Sequence, residues 1–380
     1  MKKFFKRASA VALCVGMMST MVYGEGLFDE TTNKFSRVND NVNKGSEIGR
    51  KSTLSYKVLK HNKPVFDKAL KGKKRTPYAI HGRLKVKGRY LVDKKGKKFQ
   101  IKGISTHGIN WDVGKPYVNK GAFKFLRDKM GANCVRVAMY TEDYNGYCIT
   151  DENSRKDLLN TINKAVKYTK SLGMYCIIDW HILNDKTPKK YQKQAKAFFK
   201  KMAKKYKKKG NVLFEICNEP NGGTSWSEVR TYANSIIKTI RKVNKKVIII
   251  VGTPNWSQDV DIAANSPVKK KKNVMYTVHF YAATHGQSYR DKVQAAINKG
   301  LPVFCTEFSC CESSGDGYIN TSEGDAWISF LNKNKISYVC WSLSNKAESA
   351  SLLNSGCQKK SGFSDGDLST MGNWIKSKYR

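Results

Sequence analysis

The sequence predicts an α/β fold, a closed (β/α)8 barrel of the TIM type, and three observations carry that prediction. Eight strand-length apolar runs recur, at 99–106, 133–140, 174–181, 212–219, 247–253, 274–281, 302–308 and 336–343. Helical stretches fill most of the gaps, at 120–130, 154–172, 191–206, 227–243, 288–298 and 323–334. The strand runs are apolar throughout instead of alternating, as parallel strands buried on both faces require. Eight such units in roughly 300 residues suit a barrel better than an open doubly wound sheet. The open sheet also lacks support because no glycine-rich phosphate loop follows the first strand.

The chain has 380 residues, 70 Lys plus Arg against 30 Asp plus Glu, and a formal net charge of +40. Hydrophobic residues make up 40 % and aromatics 11 %, which excludes a wholly disordered chain. Residues 1–24 read as a secretory signal: Lys2, Lys3, Lys6 and Arg7 precede an apolar stretch from Ala8 to Val22. That stretch is shorter than the roughly 20 residues that span a bilayer, so export is expected without a membrane span. Residues 25–80 are polar and lack periodicity, and are expected to be a flexible segment ahead of a catalytic domain at 81–380. At the start of that domain, Leu84 to Gln100 reads as a β-hairpin turning at Asp93-Lys94-Lys95-Gly96. Most cysteines lie in apolar, strand-like runs, so few or no disulfides are expected. No cysteine pair has zinc-ligand spacing, and neither a metal nor a cofactor is expected.

Barrel enzymes place their chemistry at the C-terminal ends of the strands. Polar and aromatic residues gather there: Thr106-His107 with Trp111 beyond, Arg136 and Tyr140, Asp179-Trp180-His181, Asn218-Glu219, His279 and Tyr281, Thr306-Glu307, and Trp341. Glu219 and Glu307 close strands four and seven. Acetal cleavage needs such a pair, one acid to protonate the leaving oxygen and one carboxylate to meet the developing oxocarbenium ion. Glu215 shares the face of Glu219 but lies four residues deeper, and reads as a buried structural acid. Trp180 points away from His181 along the strand and reads as core.

These residues carry a family resemblance. Asn218-Glu219-Pro220, together with Thr106-His107-Gly108-Ile109-Asn110-Trp111, Arg136 to Tyr140, Ile177 to His181, His279 to Gly286, Thr306-Glu307-Phe308 and Trp341 to Lys346, resembles glycoside hydrolase family 5. The subtype is similar to that family's secreted bacterial endoglucanases, over roughly residues 81–378. The resemblance implies that Glu219 is the general acid/base and Glu307 the nucleophile of a retaining mechanism. It implies that Asn218 bonds the sugar 2-hydroxyl and that Arg136 and Tyr281 hold Glu307 ionised. It makes His107, Tyr140, His181 and His279 the lining of the cleavage subsite, and Trp111 and Trp341 platforms for sugar rings. Lys346 and Glu348 would fix hydroxyls nearby, while Trp256 is open to stacking or to packing.

The expected partner is a β-glucan polysaccharide, cut internally at β-1,4 bonds, by a monomer. Mannanase, lichenase or xyloglucanase activity stays open on the same barrel, as does a non-catalytic glycan-binding role. Nucleic acid is not expected, since the lysines are not interleaved with stacking aromatics. The positive charge opens the way to contact with anionic wall or plant polymers, with lysines at 189–209 as its densest run.

Overall fold

The computed structural model describes residues 76–379; the signal segment 1–24 and nearly all of the polar segment 25–80 lie outside the described residues. The described chain opens with a short helix α1 (Pro77–His81), a small hairpin of β1 (Lys85–Lys87) and β2 (Tyr90–Val92), and then the barrel strands. These are β3 (Lys102–Thr106), β4 (Cys134–Tyr140), β5 (Tyr175–His181), β6 (Val212–Glu215), β7 (Ile249–Val251), β8 (Val274–Tyr281), β9 (Val303–Ser309) and β10 (Tyr338–Leu343). Every neighbouring pair is parallel, and β10 closes onto β3. The eight apolar runs of the sequence are thus the eight staves of the barrel.

The returning helices include α2 (Lys120–Asp128), α3 (Glu152–Leu172), α4 (Gln192–Lys205), α5 (Trp226–Val243), α8 (Gln287–Asn298) and α9 (Thr321–Asn334). Two short helices, α6 (Pro254–Ser257) and α7 (Val260–Asn265), follow β7, and α10 (Thr370–Tyr379) ends the chain. Their starts follow local chemistry: the Asp151 carboxylate accepts from the Asn153 and Ser154 amides at the head of α3, and Ser225 and Glu228 form a capping box on α5. Such caps satisfy amides that the helix itself leaves unpaired. Gly173 ends α3 in the left-handed conformation, at φ +67°, where a Cβ would also strike the Thr76 side chain.

The hairpin differs from expectation. Its tight turn falls at Gly88-Arg89, with Lys87 opposite Tyr90, not at Asp93–Gly96. The Asp93 turn instead closes one further bridge, Val92 to Lys98. The Asp93 carboxylate explains this: it accepts the Lys95 and Lys97 amides and His81 Nδ1 at 2.8–3.0 Å, folding the strand end back on itself. The hairpin caps the barrel floor, where Leu84, Leu91 and Phe99 pack with Ile101, Tyr175, Leu213, Ile250 and Phe304. Helix α1 belongs to this floor as well, since the Tyr78 amide donates to Gly173 O at 2.8 Å and its ring meets Tyr175 edge-on.

Strand β6 is shorter than its apolar run. After Glu215 the chain leaves the ladder, because the Asn218 amide turns to Trp180 O and the Asn218 carbonyl accepts from Ser257 Oγ at 2.6 Å. Gly252 makes that path possible, since a Cβ there would lie 2.5 Å from Cys217 O. This departure lifts Glu219 off the strand and into the mouth of the barrel. Trp180 is core as expected, fully buried among Tyr147, Phe198 and Phe199. All nine cysteines among the described residues are free thiols.

Candidate active site

The site is built around one buried guanidinium. Arg136, on β4, is completely enclosed, and its fork is divided among Glu215, Glu307, Asn218 and Asp179, with Ser105 Oγ at 3.5 Å. Nε donates to Glu215 Oε2 at 2.8 Å, Nη1 to Glu307 Oε2 at 2.9 Å, and Nη2 to Asn218 Oδ1 at 2.6 Å. Nη2 also lies 3.0 Å from Asp179 Oδ2. Register sets up the meeting: Ala138, Asp179 and Glu215 are lateral neighbours on consecutive strands, and Arg136, two residues before Ala138 on the same face, reaches both carboxylates.

One arm of this hub sets a tautomer. Because Asn218 Oδ1 accepts from Arg136, its amide nitrogen is left to donate, to Ile182 O at 3.2 Å and to His181 Nε2 at 3.1 Å. His181 Nε2 is therefore an acceptor and Nδ1 carries the proton, directed at Asp179 Oδ2 at 2.6 Å. Burial, with Arg136 nearby, pushes His181 down to about 3, so this imidazole is neutral. Asp179 moves the other way, because burial and the charges of Glu215 and Glu307 outweigh Arg136.

A second arm holds His279. Thr306 Oγ1 donates to Glu215 Oε1 at 2.7 Å, so it accepts from His279 Nε2 at 2.9 Å. The other nitrogen, Nδ1, faces Glu219 Oε1 at 2.7 Å. Burial opposes charge on His279, yet the neighbouring carboxylates of Glu215, 3.8 Å from Nε2, and Glu219 raise it to about 9.

The two candidate carboxylates meet in the cleft with unlike electrostatics. An oxygen of Glu219 and one of Glu307 lie within 4.8 Å of each other and of the His279 ring. Burial works to raise Glu307, but the cations His279 and Arg136 and the Tyr281 hydroxyl, 2.9 Å from Oε1, hold it below the ordinary glutamate value. Glu219 goes up, through burial and the charge of Glu307, against the pull of His279. Protonation is thus favoured on one carboxyl and ionisation on its neighbour, the division that acid/base chemistry on one bond demands.

Both glutamates open into a cleft of about 750 Å³ over the C-terminal ends of the strands. His107, Tyr140, His181, Glu219, His279, Tyr281, Glu307, Trp341, Lys346 and Glu348 line it, as does Trp256. Two buried polar atoms in this wall have no hydrogen-bond partner, His107 Nδ1 and Glu348 Oε1. Buried polar atoms are seldom left so, and a hydroxyl-rich ligand would satisfy both.

The comparisons with known proteins agree with this geometry. Residues 92–347 match the family description "Cellulase (glycosyl hydrolase family 5)". The chain belongs to glycosyl hydrolase family 5. It is 48 % identical over 296 residues to an endoglucanase of Clostridium saccharobutylicum, covering 78 % of this chain and 64 % of that protein. Identity to endoglucanase A of Butyrivibrio fibrisolvens is 44 % over 296 residues, covering 78 % of this chain and 68 % of that one. Among solved structures, cellulase Cel5C_n is 40 % identical with a TM-score of 0.75, over 80 % of this chain and 94 % of that one. The catalytic domain of the Thermobifida fusca endoglucanase Cel5A is 32 % identical with a TM-score of 0.75, over 80 % and 99 %.

Within this family 5 barrel, Asn218 and Trp111 are not among the residues that line the cleft. Asn218 is fully buried with its amide committed to Arg136, His181 and Ile182. Arg136 reaches Glu307 from below the cleft, the contact through which it would hold that carboxylate ionised. Trp111 stands behind Tyr140, which its ring meets edge-on at 4.5 Å, and continues the aromatic wall toward exposed Tyr144. Sequence reasoning missed Asn255, Gln258, His285 and Tyr289 on the wall beside Trp256, and the Ser313–Gly315 loop opposite. His285 was within reach, six residues beyond His279 in the same motif; the loops carry no spacing signal. Asp179 and Thr306, which tie the network together, read only as strand-end polar residues until their partners are known.

Proposed function

We propose that this protein is an endo-acting β-1,4-glucanase that hydrolyses internal bonds of cellulose or a related β-glucan with retention of configuration. The observation that carries this reading is the Glu219–Glu307 pair, within 4.8 Å and pushed in opposite directions from the ordinary glutamate value by their surroundings. Retaining pairs stand roughly 5–5.5 Å apart, whereas an inverting pair leaves room for a water between. Glu307 attacks the anomeric carbon as the bond to the leaving glucan breaks, and Glu219 passes its proton to the departing oxygen. Water then attacks the same carbon, giving a proton back to Glu219, and Glu307 leaves as carboxylate. Arg136 and Tyr281 steady the Glu307 charge, while His279 Nδ1, 2.7 Å from Oε1, orients the Glu219 carboxyl. Relatives described as endoglucanases support the substrate class, as does a Thermobifida fusca structure in complex with cellotetraose.

The full chain is proposed to be exported, with residues 1–24 as signal and 25–80 as a segment ahead of the catalytic domain at 81–380. No helix of the described residues is long and apolar enough to cross a membrane. The test is reducing-sugar release from carboxymethylcellulose, lichenan, glucomannan and xylan side by side, with the first-formed anomer read by NMR. Release led by β-1,4-glucan with the β-anomer formed first is the expected result. An α-anomer formed first would overturn the retaining assignment, and preference for mannan or xylan would overturn the substrate.

A further inference from the structure

The face of the barrel opposite the catalytic mouth is a field of unpaired lysines. In a parallel barrel the segments from helix to strand all lie at the N-terminal ends of the strands. Here these are residues 93–101, 128–133, 170–174, 204–211, 242–248, 266–273, 299–302 and 333–337. Together they hold 21 Lys, no Arg, and two acids, Asp93 and Asp128. All of these lysines except half-buried Lys209 are exposed. Among the described residues none of the 21 lies within ion-pair distance of a carboxylate, whereas Lys124, Lys156, Lys292 and Lys359, elsewhere, do. Lys209 is held below the ordinary lysine value by its contact with Lys170, so the field is dense enough to repel itself. The hairpin that caps this floor adds exposed Lys85 and Lys87.

Helix dipoles account for part of this, since cations favour helix C-termini. They do not account for Lys207-Lys208-Lys209 or Lys269 to Lys272, which stand in loops beyond α4 and α7, nor for Lys94 to Lys98, which no barrel helix precedes. Self-repulsion of this size works against the compact state unless an anion offsets it. The composition of the field narrows the partner. The arginines that border it, Arg89, Arg127 and Arg241, are half-buried and donate to backbone carbonyls of the fold, which leaves lysine as its exposed charge. Ile80 on α1 is a lone exposed apolar side chain beside it, too little to stack on bases or enter a lipid surface. What remains is an array of ammonium point charges that suits closely spaced carboxylates.

We infer that this face docks the protein on a carboxylated polysaccharide, a polyuronate, leaving the catalytic mouth turned outward. The test is equilibrium binding of the full chain to sodium polygalacturonate over a salt series. Two variants of equal charge accompany it: Lys207, Lys208, Lys271 and Lys272 to Gln on the floor, and Lys124, Lys156, Lys292 and Lys359 to Gln elsewhere. A cooperative thermal transition in each variant certifies the fold. Counterion release predicts binding at least about tenfold weaker at about 200 mM than at about 50 mM NaCl. The floor variant is expected to bind several-fold more weakly with a shallower salt slope, and the second variant to bind like the parent. Equal loss in both variants would show that net charge and not this face binds, and would overturn the proposal. So would binding indifferent to salt, or duplex DNA or phosphatidylserine vesicles bound more tightly than polygalacturonate at matched charge.

Discussion

Arg136→Gln is the perturbation that the site's architecture makes most informative. The guanidinium faces Glu215, Glu307 and Asp179 at 2.8–3.0 Å, with all three carboxyls enclosed. Removing one partner of a buried ion pair typically costs about 3–5 kcal/mol, because the remaining charges are left uncompensated. In a barrel of this size that corresponds to a fall of roughly 6–20 °C in the melting midpoint. The catalytic consequence is separate and has a definite sign. A neighbouring cation holds a carboxylate down by about 1–3 pKa units, so its loss lets Glu307 rise by that order. Glu307 must be ionised to attack, and the acid limb of kcat/KM therefore moves to higher pH. The assay is the pH profile on 2,4-dinitrophenyl cellobioside, whose leaving group needs no protonation, so the limb reports the nucleophile and not Glu219. A folded variant whose acid limb stays where the parent's lies would refute the claim that Arg136 keeps Glu307 charged.

Further outcomes follow from the same network. Glu307→Gln should abolish turnover while leaving the melting transition cooperative, since an amide cannot serve as the covalent nucleophile; measurable steady-state hydrolysis would move the role elsewhere. Glu219→Gln should lose about 10²–10⁴ in rate on β-glucan but far less on the dinitrophenyl substrate, and equal losses on both would contradict its role as acid. His279 is raised from 6.5 to about 9, so the stability it contributes is complete below pH 6.5 and lost as pH climbs through 9. Glu215, held at about 2 against an ordinary 4.5, contributes stability above pH 4.5 that is lost as pH falls toward 2. Melting midpoints across pH should therefore show both slopes, and His279→Gln should remove the alkaline one. Gly252→Ala should displace the chain that carries Glu219, since its Cβ would meet Cys217 O at 2.5 Å and Asn218 O at 2.9 Å. A shift of about 1 Å at a reacting group can cost on the order of 100-fold in rate, so kcat is the quantity to measure.

The amino-acid order alone determined the barrel and its two glutamates. Each strand is a continuous apolar run because both its faces are buried, and that period survives in the sequence whatever the loops do. The residues at 219 and 307 stand at the ends of such runs, so topology places them in the mouth without knowledge of any contact. Tertiary structure decided the rest. Nothing local to Arg136 says that one guanidinium serves Glu215, Glu307, Asp179 and Asn218, because those partners lie 43 to 171 residues away and meet only through strand register. The break in β6 that lifts Glu219 depends on Gly252 and Ser257 of the next unit, and the turn after β2 on the Asp93 carboxylate meeting His81 as well as Lys95 and Lys97. The lysines read as a run on one helix in sequence, at 189–209. Their gathering on one face, away from the acids, exists only because eight parallel strands bring eight separate loops to the same end of the barrel.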